Sequence, residues 1–350
     1  MKVLVAMSGG VDSSVAAALM LQQGHDVVGV TLKLWGGAQD SGCCSVGDVE
    51  DARRVAQQLG ITHHVFNFTD DFDAHVVEPY VEAHAAGRTP NPCVECNRHL
   101  KFDRLLARAD QLGFDAIATG HHARVERDVS AGRFRLMRGV DAAKDQSYVL
   151  HMLSQDQLAR VLFPVGDLTK PEVRRLAAAL GLRTADKPDS QDTCFITATG
   201  GRESFLGGRI ALRPGRLVEA STGVDLGEVA AIQLVTVGQR RGLGLDRGGD
   251  GDRRYALAVD VASSTVSVGS EDDLRCRRID VGEWTWVDAR PDPGSEVRVQ
   301  VSAHGRLSAA VFDARGVGFD TPQRRVAPGQ AVVLYDAVTG LAVLGGGIAG

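Results

Sequence analysis

The sequence predicts an α/β protein: a doubly wound parallel sheet, followed by a small β domain and a C-terminal β-barrel domain. Three observations lead there. In the first part of the chain, short apolar runs alternate with stretches of helical period, the pattern of parallel strands joined by crossover helices. A glycine-rich turn joins the first apolar run to the first helix, and from about Gly200 helical periodicity gives way to glycine turns and short Val-rich runs. The boundaries drawn on this basis are 1–200 for the α/β unit, 201–275 for the small β domain and 276–350 for the barrel.

Taken in order, residues 2–7 read as a buried strand and 13–23 as a helix that Gly24 ends in a left-handed cap. Between them, Gly9 and Gly10 let the backbone turn tightly and expose N–H groups, which the positive end of the following helix reinforces. Such a turn suits a phosphate chain, with Ser8, Ser13 and Ser14 as further donors. It is not a Walker A loop, because Asp12 stands where a phosphate-binding lysine is expected. Residues 27–34, 63–68 and 115–119 read as further strands, and 48–59 (closed by Gly60), 71–85 and 97–112 as helices. Ligands of such a sheet bind at the carboxyl ends of its strands, where the opening turn lies. In the last part, 234–237, 255–261 and 265–268 read as strands of the small domain, and 296–301, 309–312 and 331–335 as strands of the barrel.

Bulk properties narrow the function. With 350 residues, 44% of them hydrophobic, the chain has room for several folded domains. A net charge of −5 argues against a generic polyanion binder, yet Arg88, Arg98, Lys101 and Arg104 crowd one cysteine pair and Arg124, Arg127, Arg133, Arg135 and Arg138 cluster further on. A nucleic acid partner therefore stays open. No apolar run is long enough to cross a bilayer, and Met1-Lys2 leads into a core strand, so the expected location is cytoplasmic, with no membrane partner.

Six cysteines are too few for a disulfide scaffold at this length and suit reactivity or metal binding better. Cys93 and Cys96 form a CxxC pair in a Pro-stiffened loop, with Asn97 as the expected helix cap, which places Cys96 just before a helix N-terminus and favours its thiolate. The pair alone equally suits half a zinc site, an iron–sulfur cluster or a redox disulfide. Cys194, where a polar run meets an apolar one, suits the lip of a cleft. Cys276, Cys43 and Cys44 read as small buried hydrophobes.

Six segments then occur in a fixed order: SGGVDSS, RTPNPCVECN, TGHHAR, KDQSY, DSQDTCFI and TVGQRRGLGL. The first resembles the loop of the ATP-pyrophosphatases, and the whole set resembles the bacterial tRNA-specific 2-thiouridylases over nearly the entire chain. The resemblance implies an adenine nucleotide alpha-hydrolase-like fold and ATP-dependent replacement of the C2 oxygen of the tRNA wobble uridine by sulfur, with ATP and Mg²⁺. Ala6, Met7, Ser8, Gly9, Gly10, Val11, Asp12 and Ser13 would hold the phosphates, with Leu32 and Gly120 at the adenosine. Cys194 matches the persulfide carrier and Cys96 its nucleophilic partner, the two ending as a disulfide. Asn91, Pro92 and Cys93 would face the target base, while His121, Lys144, Asp145, Gln146, Gln330, Arg298 and Val299 fall where the family touches tRNA. Expected partners are tRNAs for Lys, Glu and Gln and a sulfur donor, a cysteine desulfurase acting directly or through small sulfur carriers.

One departure is that members of this family often carry an aspartate where this chain has Cys93. An acid or base would then have to come from Asp12, Asp192, a water or a Cys93 thiolate. Three thiols, Cys93, Cys96 and Cys194, also suit an iron–sulfur cluster. Related synthetases that adenylate a carboxylate and capture it with ammonia have no use for Cys96 and Cys194. A non-enzymatic tRNA- or metal-binding module leaves the glycine turn unexplained.

Overall fold

Lys2–Ala6 is the central strand of a five-stranded parallel sheet because its residues are apolar on both faces. Leu4 joins one core with Val30, Leu32, Phe72 and Leu100, while Val3 and Val5 join the other with Val15, Val55 and Val173. Asp26–Lys33 and then His63–Asn67 extend the sheet on one side; Ala116–Thr119 and Val161–Leu162 extend it on the other. The chain thus reverses its direction of travel beside Lys2–Ala6, which opens a crevice between the ends of that strand and Ala116–Thr119. The computed structural model describes residues 1–36, 45–189, 193–196, 200–245 and 253–350. Cys43, Cys44 and Asp192 lie outside the described residues.

Most sheet elements follow the sequence pattern, including the helix Val11–Gln22 with Gly24 at φ +79° and the helix Val46–Leu59 with Gly60 at φ +71°. Two expectations change. Asn91, not Asn97, caps the helix that carries the cysteines: its side chain accepts from Cys93 N at 3.0 Å, and helical structure begins at Pro92 and continues through a π-helical stretch, Cys96–Arg104, into Leu105–Gln111. Proline at the first helical position makes that start favourable, since its missing N–H has no partner to lose there. Cys96 therefore sits one turn inside the helix, and Cys93 occupies the N-terminal turn. In the small domain, residues 234–237 form no strand; Ile232–Leu234 is a 3₁₀ turn beside a four-stranded sheet of Tyr255–Asp260, Thr265–Gly269, Gly215–Glu219 and Asp225–Val229.

The last strands, Arg275–Trp286, Gly316–Arg324, Ser308–Asp313, Glu296–Gln300, Ala331–Tyr335 and Ala342–Ala349, close on themselves when Val281 pairs with Ala349. Closure removes the exposed edges of the sheet. The barrel is also fused to the first domain: a hairpin, Ala123–Asp128 with Arg133–Arg138, pairs Leu136 with Val343 and Met137 with Ala342. Cys276 is half-buried against the barrel core.

Candidate active site

The crevice holds a cavity of about 440 Å³, within the usual range for a small-molecule site. Its floor is the glycine turn. Gly9 has φ +74°, and a Cβ there would lie 2.2 Å from the Asp48 carbonyl oxygen, so no other residue fits without rearrangement. Ser13 Oγ accepts from Ser8 N at 3.1 Å and donates to Gly10 O at 3.1 Å, and Ser14 Oγ donates to Gly10 O at 2.9 Å. Two of the three hydroxyls expected to reach phosphate, those of Ser13 and Ser14, thus brace the turn. Gly120 closes the opposite wall, where a Cβ would lie 2.6 Å from Ser13 N.

Ala6, Met7, Ser8, Gly10, Val11, Asp12 and Ser13 line this cavity together with Leu32, Gly120, His121, Lys144 and Gln146. His121 is 8% exposed, and its Nδ1 lies 2.7 Å from Thr119 Oγ1. Burial pushes its pKa well below the ordinary value, with Lys101 and His122 adding to the shift, so the ring is neutral at pH 7. Gln146 is locked to His122, whose backbone N donates to its Oε1 at 3.0 Å.

Four lysines, Lys101, Lys144, Lys170 and Lys187, face the cavity alongside the acids Asp12, Asp48 and Asp189. Lys170 Nζ lies 2.7 Å from Asp12 Oδ2 and 2.8 Å from Asp189 Oδ1. Lys187 Nζ bridges Asp48 at 2.6 Å and Asp51 at 2.7 Å. Burial alone would raise the pKa of Asp12, but hydrogen bonds from His122 and Lys170 hold it below the ordinary value. Asp189 behaves likewise: desolvation opposes ionisation, yet Lys144 and Lys170 hold its pKa at about 2. Lys170 and Lys187 were missed from the sequence. The one trace is that Lys170 opens a helix behind the Thr169 capping box, where the dipole disfavours a cation unless acids compensate it.

Neither Cys96 nor Cys194 is among the residues that line the cavity. Cys96 is 7% exposed in the core that also contains Leu34, a cavity-lining residue, and half-buried Cys194 packs against the same core. Phe195 anchors that side: its ring meets Phe205 at 5.0 Å, Tyr80 at 5.4 Å, Phe72 at 5.7 Å and Trp35 at 6.1 Å. Cys93 is exposed. Among the described residues, no group of three or more His, Cys, Asp or Glu side chains is disposed to hold a metal ion. Cys93, Cys96 and Cys194 are not gathered into such a group.

Three of the residues expected at tRNA are placed otherwise. Asp145 is 5% exposed, with its carboxylate taken by Arg138 Nε at 2.7 Å, Gly139 N at 2.9 Å and Ser147 Oγ at 3.0 Å. Val299 is 2% exposed in the barrel core, because alternate strand residues point inward. Gln330 is half-buried and donates through Nε2 to the Thr89 carbonyl, while Thr89 N donates to Pro328 O at 2.8 Å. It joins the barrel to the loop that holds Asn91, Pro92 and Cys93. Arg298 is exposed and donates from Nε to Ala337 O at 3.3 Å.

A phosphate-binding turn at the switch point of a parallel sheet defines a nucleotide-binding α/β domain of the HUP type, and the tRNA methyl transferase HUP domain family matches residues 1–198. The tRNA methyl transferase PRC-barrel domain matches residues 203–270, and the aminomethyltransferase beta-barrel domain matches 276–349. The chain is 50% identical to the tRNA-specific 2-thiouridylase MnmA of Mycolicibacterium smegmatis over 347 residues, 96% of this chain and 95% of that protein. It is 48% identical to the protein of the same name from Chloroflexus aggregans over 99% of this chain and 97% of the other. The chain belongs to the tRNA-specific 2-thiouridylase family.

Proposed function

We propose that the chain thiolates C2 of the wobble uridine in tRNAs for Lys, Glu and Gln, by adenylating the uridine oxygen and transferring sulfur from a persulfide on Cys194. ATP-dependent thiolation of tRNA uridine is the activity of its family. The observation that carries the finer reading is the phosphate turn, with Cys96 and Cys194 packed on one core beside it.

The backbone N–H groups of residues 8–13 meet the ATP phosphates, and Lys101, Lys144, Lys170 and Lys187 oppose their charge. Leu32 and Gly120 flank the adenosine. Mg²⁺, which favours phosphate oxygens and water over an all-protein cage, arrives with ATP. The uridine O2 attacks the α-phosphorus and pyrophosphate leaves, which converts a poor leaving group into AMP. The terminal sulfur of the Cys194 persulfide then adds to C2, AMP departs, and the Cys96 thiolate attacks Cys194 Sγ to release 2-thiouridine. Alternatively, Cys96 attacks first and frees hydrosulfide, which adds to C2. Either order leaves a Cys96–Cys194 disulfide that an external thiol reduces. Asp12, held ionised by Lys170 and His122, is a weak base, which leaves Asp192, a water or the Cys93 thiolate to manage the proton. A cysteine desulfurase, directly or through small carriers, reloads Cys194.

Mass spectrometry of nucleosides from tRNA treated with the enzyme, ATP and a sulfur donor tests this reading. Cys194→Ser should abolish 2-thiouridine while ATP still binds, and Cys96→Ser should stop multiple turnover. Full sulfur incorporation by Cys194→Ser would remove the persulfide assignment.

A further inference from the structure

The C-terminal barrel reaches into the nucleotide cavity. Among the described residues, His304 is the one barrel residue that lines it, on the loop between Glu296–Gln300 and Ser308–Asp313. That loop is held from inside: Gln300, 1% exposed, donates from Nε2 to Ser302 O at 2.9 Å and to Ala303 O at 3.1 Å, and Gly305 N donates to Ser302 O at 2.9 Å. Ala303 and Leu307, on either side of His304, pack against the core that contains Cys96 and that Cys194 borders. His304 is exposed, and its side chain makes no hydrogen bond or ring contact among the described residues, so the ring is open to a ligand.

Sheet order sets the direction from which His304 enters. Asp26–Lys33, which carries Leu32, and Ala116–Thr119, which leads to His121, lie on opposite sides of Lys2–Ala6. Gln146 is tied to the second side, its N donating to His122 O at 2.9 Å, and the next two residues clasp the barrel: Ser147 Oγ lies 3.1 Å from Tyr335 Oη, and Tyr148 Oη donates to Ala331 O at 2.8 Å. His304 therefore enters from the side of His121 and Gln146, opposite the strand that carries Leu32. In the proposed reaction the uridine O2 must reach the α-phosphorus and C2 must reach the sulfur on Cys194, so the uracil ring has to lie between the cavity and the thiol core. His304 faces the first, and its neighbours rest on the second. Unpaired RNA bases are held by stacking on aromatic side chains, histidine included. We infer that His304 is a substrate-binding residue whose ring stacks on the target uracil and holds it over the phosphate turn, so that the barrel completes a site begun by the first domain. The inference rests on the proposed use of the cavity for ATP and the wobble uridine.

The test uses the full chain saturated with α,β-methylene-ATP and two anticodon stem-loop RNAs that differ only at the wobble position, one with uridine and one abasic. The wild type should bind the uridine RNA about tenfold more tightly than the abasic one, the size expected for one stacked base. His304→Ala should bind both RNAs as the wild type binds the abasic one, with its affinity for the analogue unchanged by calorimetry. Its kcat/KM for thiolation of tRNA should fall by about the same tenfold. His304→Phe, which keeps an aromatic face without ring nitrogens, should restore most of both. A preference for uridine that persists in His304→Ala overturns the inference, and so does a His304→Phe variant as weak as His304→Ala. Loss of affinity for the analogue in His304→Ala would move the residue to the nucleotide and overturn it equally. A wild type that holds the analogue yet binds both RNAs alike strikes instead at the wobble-uridine reading, and one that fails to bind the analogue strikes at the ATP reading.

Discussion

The phosphate half and the thiol half of the site are built by opposite means. The phosphate half is one contiguous turn, braced by its own hydroxyls and ringed by ion pairs such as Lys170–Asp12 at 2.7 Å. The thiol half gathers Cys96, Cys194, Trp35, Phe72, Tyr80 and Phe205 from separate elements into one apolar cluster. The first is held by directed polar contacts that charge and pH can alter. The second is held by packing, which depends on every element that contributes a face. A shared site thus has two kinds of vulnerability, and four measurements separate them.

The largest effect should come from Lys170→Met. It leaves Asp12 and Asp189 each short of a cation in a half-buried setting, and breaking such pairs costs about 3 kcal/mol. Denaturant unfolding would show the loss, and a value near zero would mean that the ion lattice contributes little to the fold. Gly9→Ala comes next. Its Cβ meets Asp48 O at 2.2 Å at a φ of +74°, a strain of about 2 kcal/mol. ATP binding should fall at least about tenfold while the environment of Phe195, read by Trp35 fluorescence, stays as in the wild type. A parallel change in both would dissolve the distinction between the halves.

Acid should separate the halves from the other side. His84, with Nδ1 3.3 Å from Gln233 O and its ring 4.5 Å from that of Tyr80, has its pKa pushed down to about 4 by burial, as does His151. Both folded pKa values lie below the unfolded one, so the stabilisation is complete above pH 6.5 and is lost as pH falls toward about 4. Each ring should contribute a slope of about 1.4 kcal/mol per pH unit in that window. Asp189, depressed to about 2, keeps its contribution above the unfolded carboxylate range and loses it only as pH falls toward 2. Urea unfolding at pH 7, 6 and 5 should therefore show a slope that His84→Gln reduces by one proton. An unchanged slope would place the proton uptake elsewhere.

The smallest effect should be that of Gln330→Ala, which removes one hydrogen bond to Thr89 across the barrel seam, about 1 kcal/mol. Thiolation should weaken a few-fold with ATP affinity unchanged. Equal loss of both would show that the barrel also supports the phosphate half.

The legibility of the two halves differs for the same reason. The strand–turn–helix at residues 2–23 could be read directly, because glycine conformation, capping and hydrophobic period are local properties. The sequence pattern starts the cysteine helix at residue 97, five residues late, because two asparagines compete as caps and only the proline after Asn91 distinguishes them. Asp145, Val299 and Gln330 were expected to face RNA, yet Asp145 is taken up by Arg138 of the adjoining hairpin, Val299 points into its own barrel core, and Gln330 is held by Thr89 from another domain.

By itself, the sequence determined the fold class, the glycine turn and the family, since each rests on residue type and order along a short stretch. Only the tertiary structure decided that Lys170 joins Asp12 to Asp189, that the barrel grips Thr89 through Pro328 and Gln330, and that Cys96 and Cys194 share one core. A charge network among residues more than a hundred positions apart has no local signature, because its partners are chosen by the sheet order that folds them together.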